Sequence, residues 1–174
     1  MTISDAYRRS QQTLHSEESS YGTASVTLAE LVVNVLERVE PADFLDYGAG
    51  KQRLIGAMRA LGKPLPKYYA YDPAIPEISA PPEPAEVVVC LDVLEHVEPE
   101  HLNAVIDDLH RVTKRFLLAA IETGPASRIL EDGRNAHLIQ EPMEWWVPKF
   151  WERFKITNFS TIGPTRFWFT ADPR

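Results

Sequence analysis

The sequence predicts a doubly wound α/β fold: a mostly parallel sheet with an antiparallel hairpin at its C-terminus. Three observations predict it. Short apolar runs alternate with helix-period stretches from residue 25 onward. The first of those runs ends in Asp46-Tyr47-Gly48-Ala49-Gly50, an abrupt strand-to-helix turn. The last two strand-like runs meet across Gly163-Pro164. Alternating strands and helices build parallel sheets, whereas a tight turn between strands builds an antiparallel pair.

The 174 residues suit one domain, and a domain of that size buries roughly 70% of its unfolded surface. A hydrophobic fraction of 44% and a charged fraction of 25% are ordinary for a globular protein. A net charge of −7 disfavours broad binding to nucleic acid. The single cysteine, Cys90, excludes an internal disulfide. Together with the lack of any apolar run near the ~20 residues of a membrane span, it points to a cytoplasmic chain without a membrane partner.

Residues 1–24 are polar and carry Tyr7, His15 and Tyr21 with weak helical periodicity; they read as a frayed terminus or a lid. Residues 25–174 form the single domain. It opens with an amphipathic helix carrying Val26, Leu28, Leu31-Val32, Val35-Leu36 and Val39, and closed by Pro41. Residues 42–46 are strand one. Residues 51–61 are the next helix, with Leu54-Ile55, Met58 and Leu61 on one face and Gly62 as its stop. Residues 67–71 are strand two, ended by Asp72-Pro73.

Residues 73–84 hold five prolines and no periodicity, so they form a loop. Residues 86–91 are a continuous apolar run, as a strand buried on both faces requires. Residues 99–112 are helical, 116–121 a further buried strand, and 122–141 a long polar connection. Residues 141–154 return to helix, kinked at Pro148. Residues 156–162 and 166–170 make the closing hairpin. In the helix at 141–154 the stripe Met143, Trp146, Val147, Phe150 and Phe154 faces the core, and Trp145 falls off it as a candidate acceptor wall or homodimer contact.

The glycine turn permits backbone angles that other residues resist and lets the main chain approach a ligand. The helix behind it should aim free N–H groups at that ligand. Asp72 follows at the end of strand two, and Asp92-Val93-Leu94-Glu95-His96-Val97 follows the central apolar run. In this order the motifs resemble those of the class I S-adenosylmethionine-dependent methyltransferases, and the resemblance covers residues 25–174.

It implies a Rossmann-like sheet with a reversed last strand, and S-adenosylmethionine as cofactor. It further implies that Asp46, Tyr47, Gly48 and Gly50 hold the methionine end. Asp72, with Pro73 beside it, takes the ribose hydroxyls, because a carboxylate accepts charge-assisted bonds from a diol. Asp92 and Val93 complete the cofactor site. Two departures stand out. Gln52 replaces the third glycine common in that family, and 73–84 is too short for a third strand with its helices. The third strand is therefore expected to be reduced or absent. Adenine, which that region grips in relatives, is left short of a wall, and Ile75 or Ile78 is the candidate to supply it. An NAD-dependent dehydrogenase is disfavoured because its fingerprint wants glycine where Arg53 stands.

His96, just after the central strand, and His137, in the long connection, are the candidate catalytic residues on the acceptor side. Arg128 and Arg134 on that connection could meet an anion or remain solvated. Asp92, Glu95 and His96 also resemble the metal cluster of certain O-methyltransferases of the 2′-O or catechol type. The same phrase occurs in relatives that need no metal, so a divalent metal is admitted but not favoured. The expected reaction is methyl transfer to a small-molecule, sugar or nucleotide-like acceptor. The alternatives are a divalent-metal-assisted O-methyltransferase and a non-catalytic interaction module.

Overall fold

The computed structural model describes residues 2–17 and 24–174; residues 18–23, within the expected N-terminal segment, lie outside the described residues. The strands are β1 (Asp43–Tyr47), β2 (Lys67–Tyr71), β3 (Ala85–Leu91), β4 (Thr113–Glu122), β5 (Phe154–Ile162) and β6 (Arg166–Pro173). They form one sheet in the order β2-β1-β3-β4-β6-β5. The first four run parallel, and β6 runs antiparallel to both of its neighbours. Between β2 and β3 there is only a 3-10 turn at Pro76–Ile78, so the third strand is absent, as expected, and β2 is the sheet edge.

Among the described residues five α-helices accompany the sheet: α1 (Asp5–Glu17), α2 (Ala29–Val39), α3 (Arg53–Ala60), α4 (Leu102–Val112) and α5 (Met143–Trp151). Along β3 the side chains alternate between two cores. Val88 and Cys90 meet α4 and α5 through Leu102, Val105, Ile106, Trp146 and Phe150. Val87 and Val89 meet α2 and α3 through Val32, Val33, Leu36, Leu54, Ile55 and Met58. Both faces are covered, which is why β3 reads as a continuous apolar run from Val87 to Leu91. Cys90 is buried as a small hydrophobe, and burial pushes its thiol up.

Several boundaries differ from expectation for local reasons. α3 starts at Arg53 because Gln52 adopts the left-handed conformation, with φ 55°, that a third glycine would have adopted. β4 starts three residues early, directly from the end of α4. Phe154 opens β5 rather than closing α5. Trp145 does not line a cavity; it is partly buried, edge-on to Trp146 at 5.2 Å between ring centroids. Trp151, at 57% exposure, is the outward-facing tryptophan of α5. The expected weak N-terminal helix is a regular one of 13 residues.

Candidate functional site

The C-terminal ends of β1, β2 and β3 converge, and the loops there hold several left-handed backbone positions. Gly48 has φ +82° and Gly50 φ +47°. Asp92, at φ 54°, is a non-glycine residue in the same left-handed region. A Cβ on Gly48 would come within 2.4 Å of Val93 Cγ2, so the bare backbone is what lets the β1 loop and the β3 loop touch. The N–H groups of Gly48 and Ala49 both donate to the Tyr71 carbonyl, at 2.8 and 2.9 Å. The Gly50 N–H donates to Asp72 Oδ2 at 2.9 Å. These three loop N–H groups are spent on the end of β2. The parallel neighbour strand ends close enough to accept them.

Asp72 is nearly buried, and its other oxygen, Oδ1, accepts the Ala74 N–H at 2.9 Å. A carboxylate oxygen carries two acceptor sites, so each retains one. These elements border a cavity of about 660 Å³, inside the ~300–1,000 Å³ usual for small-molecule sites. Its walls include Tyr47, Gly48, Gly50, Asp72, Pro73, Asp92 and Val93, with His96 and His137. Asp46 is the expected site residue that the cavity does not reach. It is buried behind the loop, accepts from the Tyr68 hydroxyl at 3.4 Å, and burial pushes its carboxyl up to about 7. Ile75 and Ile78 do not line the cavity either; Ile3, Ala74, Val97 and Val105 supply its apolar surface.

Asp92 pairs with Arg166 of β6, and both side chains are largely buried. Arg166 also donates to Thr27 Oγ1 at 3.0 Å, tying the hairpin to the start of α2. Burial raises the Asp92 carboxyl above its usual range, while Arg166 opposes the rise. Glu95 is fully buried. Its Oε1 accepts the Glu122 N–H at 3.0 Å, whereas Oε2 has no hydrogen-bond partner. Burial, then the Asp92 charge, pushes its carboxyl well above the usual range.

His96 Nδ1 lies 2.8 Å from the Ala136 carbonyl, and His137 Nδ1 lies 2.6 Å from the Gly124 carbonyl. A carbonyl can only accept, so in each ring Nδ1 carries the proton and a neutral ring keeps its lone pair on Nε2. Burial, reinforced by His137, lowers His96 to about 4. The two rings meet edge-on at 4.8 Å. One donor atom from each of Glu95, His96 and His137 lies within 4.8 Å of the others. They form a cluster on the cavity wall.

The sequence matches a family described as a methyltransferase domain over residues 23–159. The chain belongs to that family. Its sheet order, with β6 reversed, is that of the class I fold. No curated protein matches the sequence.

The methyltransferase domain is similar in fold to 1,6-didemethyltoxoflavin-N1-methyltransferase from Burkholderia thailandensis, crystallised with 1,6-didemethyltoxoflavin and S-adenosylhomocysteine. The TM-score is 0.67 at 14% identity, over 96% of this chain and 87% of that one. It is also similar to an O-methyltransferase family protein from the same organism, with TM-score 0.64 and 13% identity over 93% of this chain and 62% of that one. A third similar fold is magnesium protoporphyrin IX methyltransferase from Synechocystis PCC 6803 with bound S-adenosylhomocysteine. There the TM-score is 0.58 at 14% identity, over 97% of this chain and 94% of that one.

Sequence reasoning about this methyltransferase domain missed Arg166, whose partnership with Asp92 spans 74 residues and leaves no local pattern. It also missed Thr2, Ile3, Tyr7 and Gln11 on the cavity wall. For Tyr7 and Gln11 a signal existed: with His15 they recur at every fourth position. Arg128 lines the cavity, while Arg134 pairs with Asp132 and lies over the Tyr7 ring. Among the described residues no helix is long and apolar enough to cross a membrane.

Proposed function

We propose that the chain transfers a methyl group from S-adenosylmethionine to a small-molecule, sugar or nucleotide-like acceptor. The observation that carries this reading is the single cavity joining Gly48, Gly50, Asp72 and Val93 to His96 and His137. Bound S-adenosylmethionine supplies a sulfonium-activated methyl group for in-line displacement. The chain's task is then to position both partners and to accept the acceptor's proton. Asp72 offers one remaining acceptor site on each oxygen to a vicinal diol. Gly48 and Val93 wall the cofactor cleft where the two loops touch. His137 holds a lone pair on Nε2 toward the acceptor side, kept there by the Gly124 carbonyl.

Titrating S-adenosylmethionine and S-adenosylhomocysteine by calorimetry tests the cofactor. Micromolar binding to wild type, lost in Asp72→Ala, is expected, and well-folded wild type that binds neither would remove the reading.

A second reading, a divalent-metal-assisted O-methyltransferase, is favoured by the Glu95–His96–His137 cluster. Ligand bonds of about 2.0–2.2 Å put two donors on one ion at most about 4.4 Å apart, so donors within 4.8 Å fit with small side-chain adjustments. Carbonyls holding the far nitrogen of each imidazole are the usual support for metal-binding histidines. The unpartnered Glu95 Oε2 would supply a buried carboxylate donor once a cation displaces its proton. When bound, a divalent cation lowers the pKa of a coordinated hydroxyl. On this reading a chelator abolishes turnover but leaves S-adenosylhomocysteine affinity intact, and magnesium or manganese restores turnover. Turnover unaffected by the chelator would return the role to His137 alone.

A further inference from the structure

The cavity-facing side of α1 is polar. Tyr7, Gln11 and His15 are spaced by four and so share one face. All three line the cavity, with Tyr7 and Gln11 buried. A helix docked on a protein usually buries an apolar stripe. Here the apolar anchorage is small: Tyr7 packs with Leu130 and Ala136, flanked by Ile3 and Leu14.

Both ends of the segment are pinned to the cofactor cleft. The Ser4 N–H and hydroxyl donate to the two oxygens of Glu98, at 2.8 and 2.6 Å. Thr2 joins the cavity wall beside Asp72 and Pro73, just past the end of β2. At the far end, His15 Cε1 lies 3.1 Å from where a Gly50 Cβ would stand. Thr2 and Ile3 share the cavity wall with Ala74, Val97 and Val105. This is the side left without a third strand, because residues 72–84 contribute only one 3-10 turn.

We propose that residues 2–17 replace the missing wall of the cofactor site. Ile3 closes an apolar slot with Ala74, Val97 and Val105 around the adenine, and Gln11 and His15 cover the polar part of the cofactor. The inference rests on S-adenosylmethionine being the cofactor.

The test uses the full chain with S-adenosylhomocysteine as probe. Calorimetry on wild type, Ile3→Asp, Gln11→Ala and His15→Ala, each checked by thermal melting, reads the dissociation constant. Ile3→Asp and His15→Ala are expected to weaken binding about tenfold or more, the effect of one lost contact of ordinary strength. Amide hydrogen exchange on wild type provides a reading independent of the variants: saturating probe should slow exchange across residues 5–17. Wild type that binds the probe, with variants within about twofold of it and exchange of 5–17 unchanged, overturns the wall and leaves the cofactor reading standing. Folded wild type that fails to bind at all overturns the cofactor reading, and the wall with it.

Discussion

Gly48→Ala tests whether contact between the β1 and β3 loops shapes the cleft. The added methyl would lie 2.4 and 2.8 Å from the two γ-carbons of Val93, and 3.2 Å from its Cβ. Val93 is β-branched and stiff about χ1, so it cannot simply swing aside. Two costs follow: left-handed strain of about 1–2 kcal/mol at φ +82°, and overpacking of about 1–3 kcal/mol. Together they amount to about 2–5 kcal/mol. The second cost depends on Val93 and the first does not.

Val93→Ala removes both γ-carbons, so a double-mutant cycle separates the two. The coupling energy should recover about 1–3 kcal/mol, leaving the strain. Gly50→Ala is the contrast: its nearest obstacle is the edge of the His15 imidazole at 3.1 Å, a side chain that can turn away. It should cost little beyond strain. Urea denaturation of wild type, the two single variants and the double variant gives the free energies. A coupling below about 0.5 kcal/mol would refute the argument, because the clash would then not be what excludes a side chain at Gly48.

Two further outcomes are expected. Asp46, with its carboxyl pushed up to about 7 from 3.8, holds its proton longer in the folded than in the unfolded chain. Stability should therefore decline as pH rises from about 4 to 7 and level off above, by an amount on the order of 4 kcal/mol from this group. Asp46→Asn keeps an acceptor for Tyr68, so it should match wild type at pH 4 and exceed it at pH 8; an unchanged slope in chemical denaturation across that range would contradict this. Arg166→Met strands Asp92 as a buried, unpaired carboxylate and should cost about 3–5 kcal/mol at pH 8. The loss should shrink as acid protonates Asp92, and a loss under about 1 kcal/mol at pH 8 would mean the pair is solvated.

Much of the architecture was legible because it is written in local patterns. The alternation of β3 between two cores needs an apolar residue at every buried position, and residues 87–91 show it. The missing third strand was a matter of length, since no strand with its helices fits between Asp72 and β3. Gln52 shows the limit of motif reading: it differs from glycine in identity but takes the same backbone conformation. Asp46 shows another. It stands at the family's acidic position, yet its side chain turns to Tyr68 behind the loop, because side chains alternate along a strand and its neighbour Tyr47 takes the cavity side.

By itself the sequence determined the doubly wound α/β class, the order of its strands along the chain, and the loops that carry Gly48, Asp72, Asp92 and His96. Local periodicity and turn chemistry specify these, and they act over a few residues at a time. Only the tertiary structure decided that His137 joins Glu95 and His96, that Arg166 answers Asp92, and that α1 lies against Gly50 and Glu98. Those pairings cross 41, 74 and 94 residues of chain. They exist because one sheet brings its strand ends together, and no neighbouring residue records that meeting.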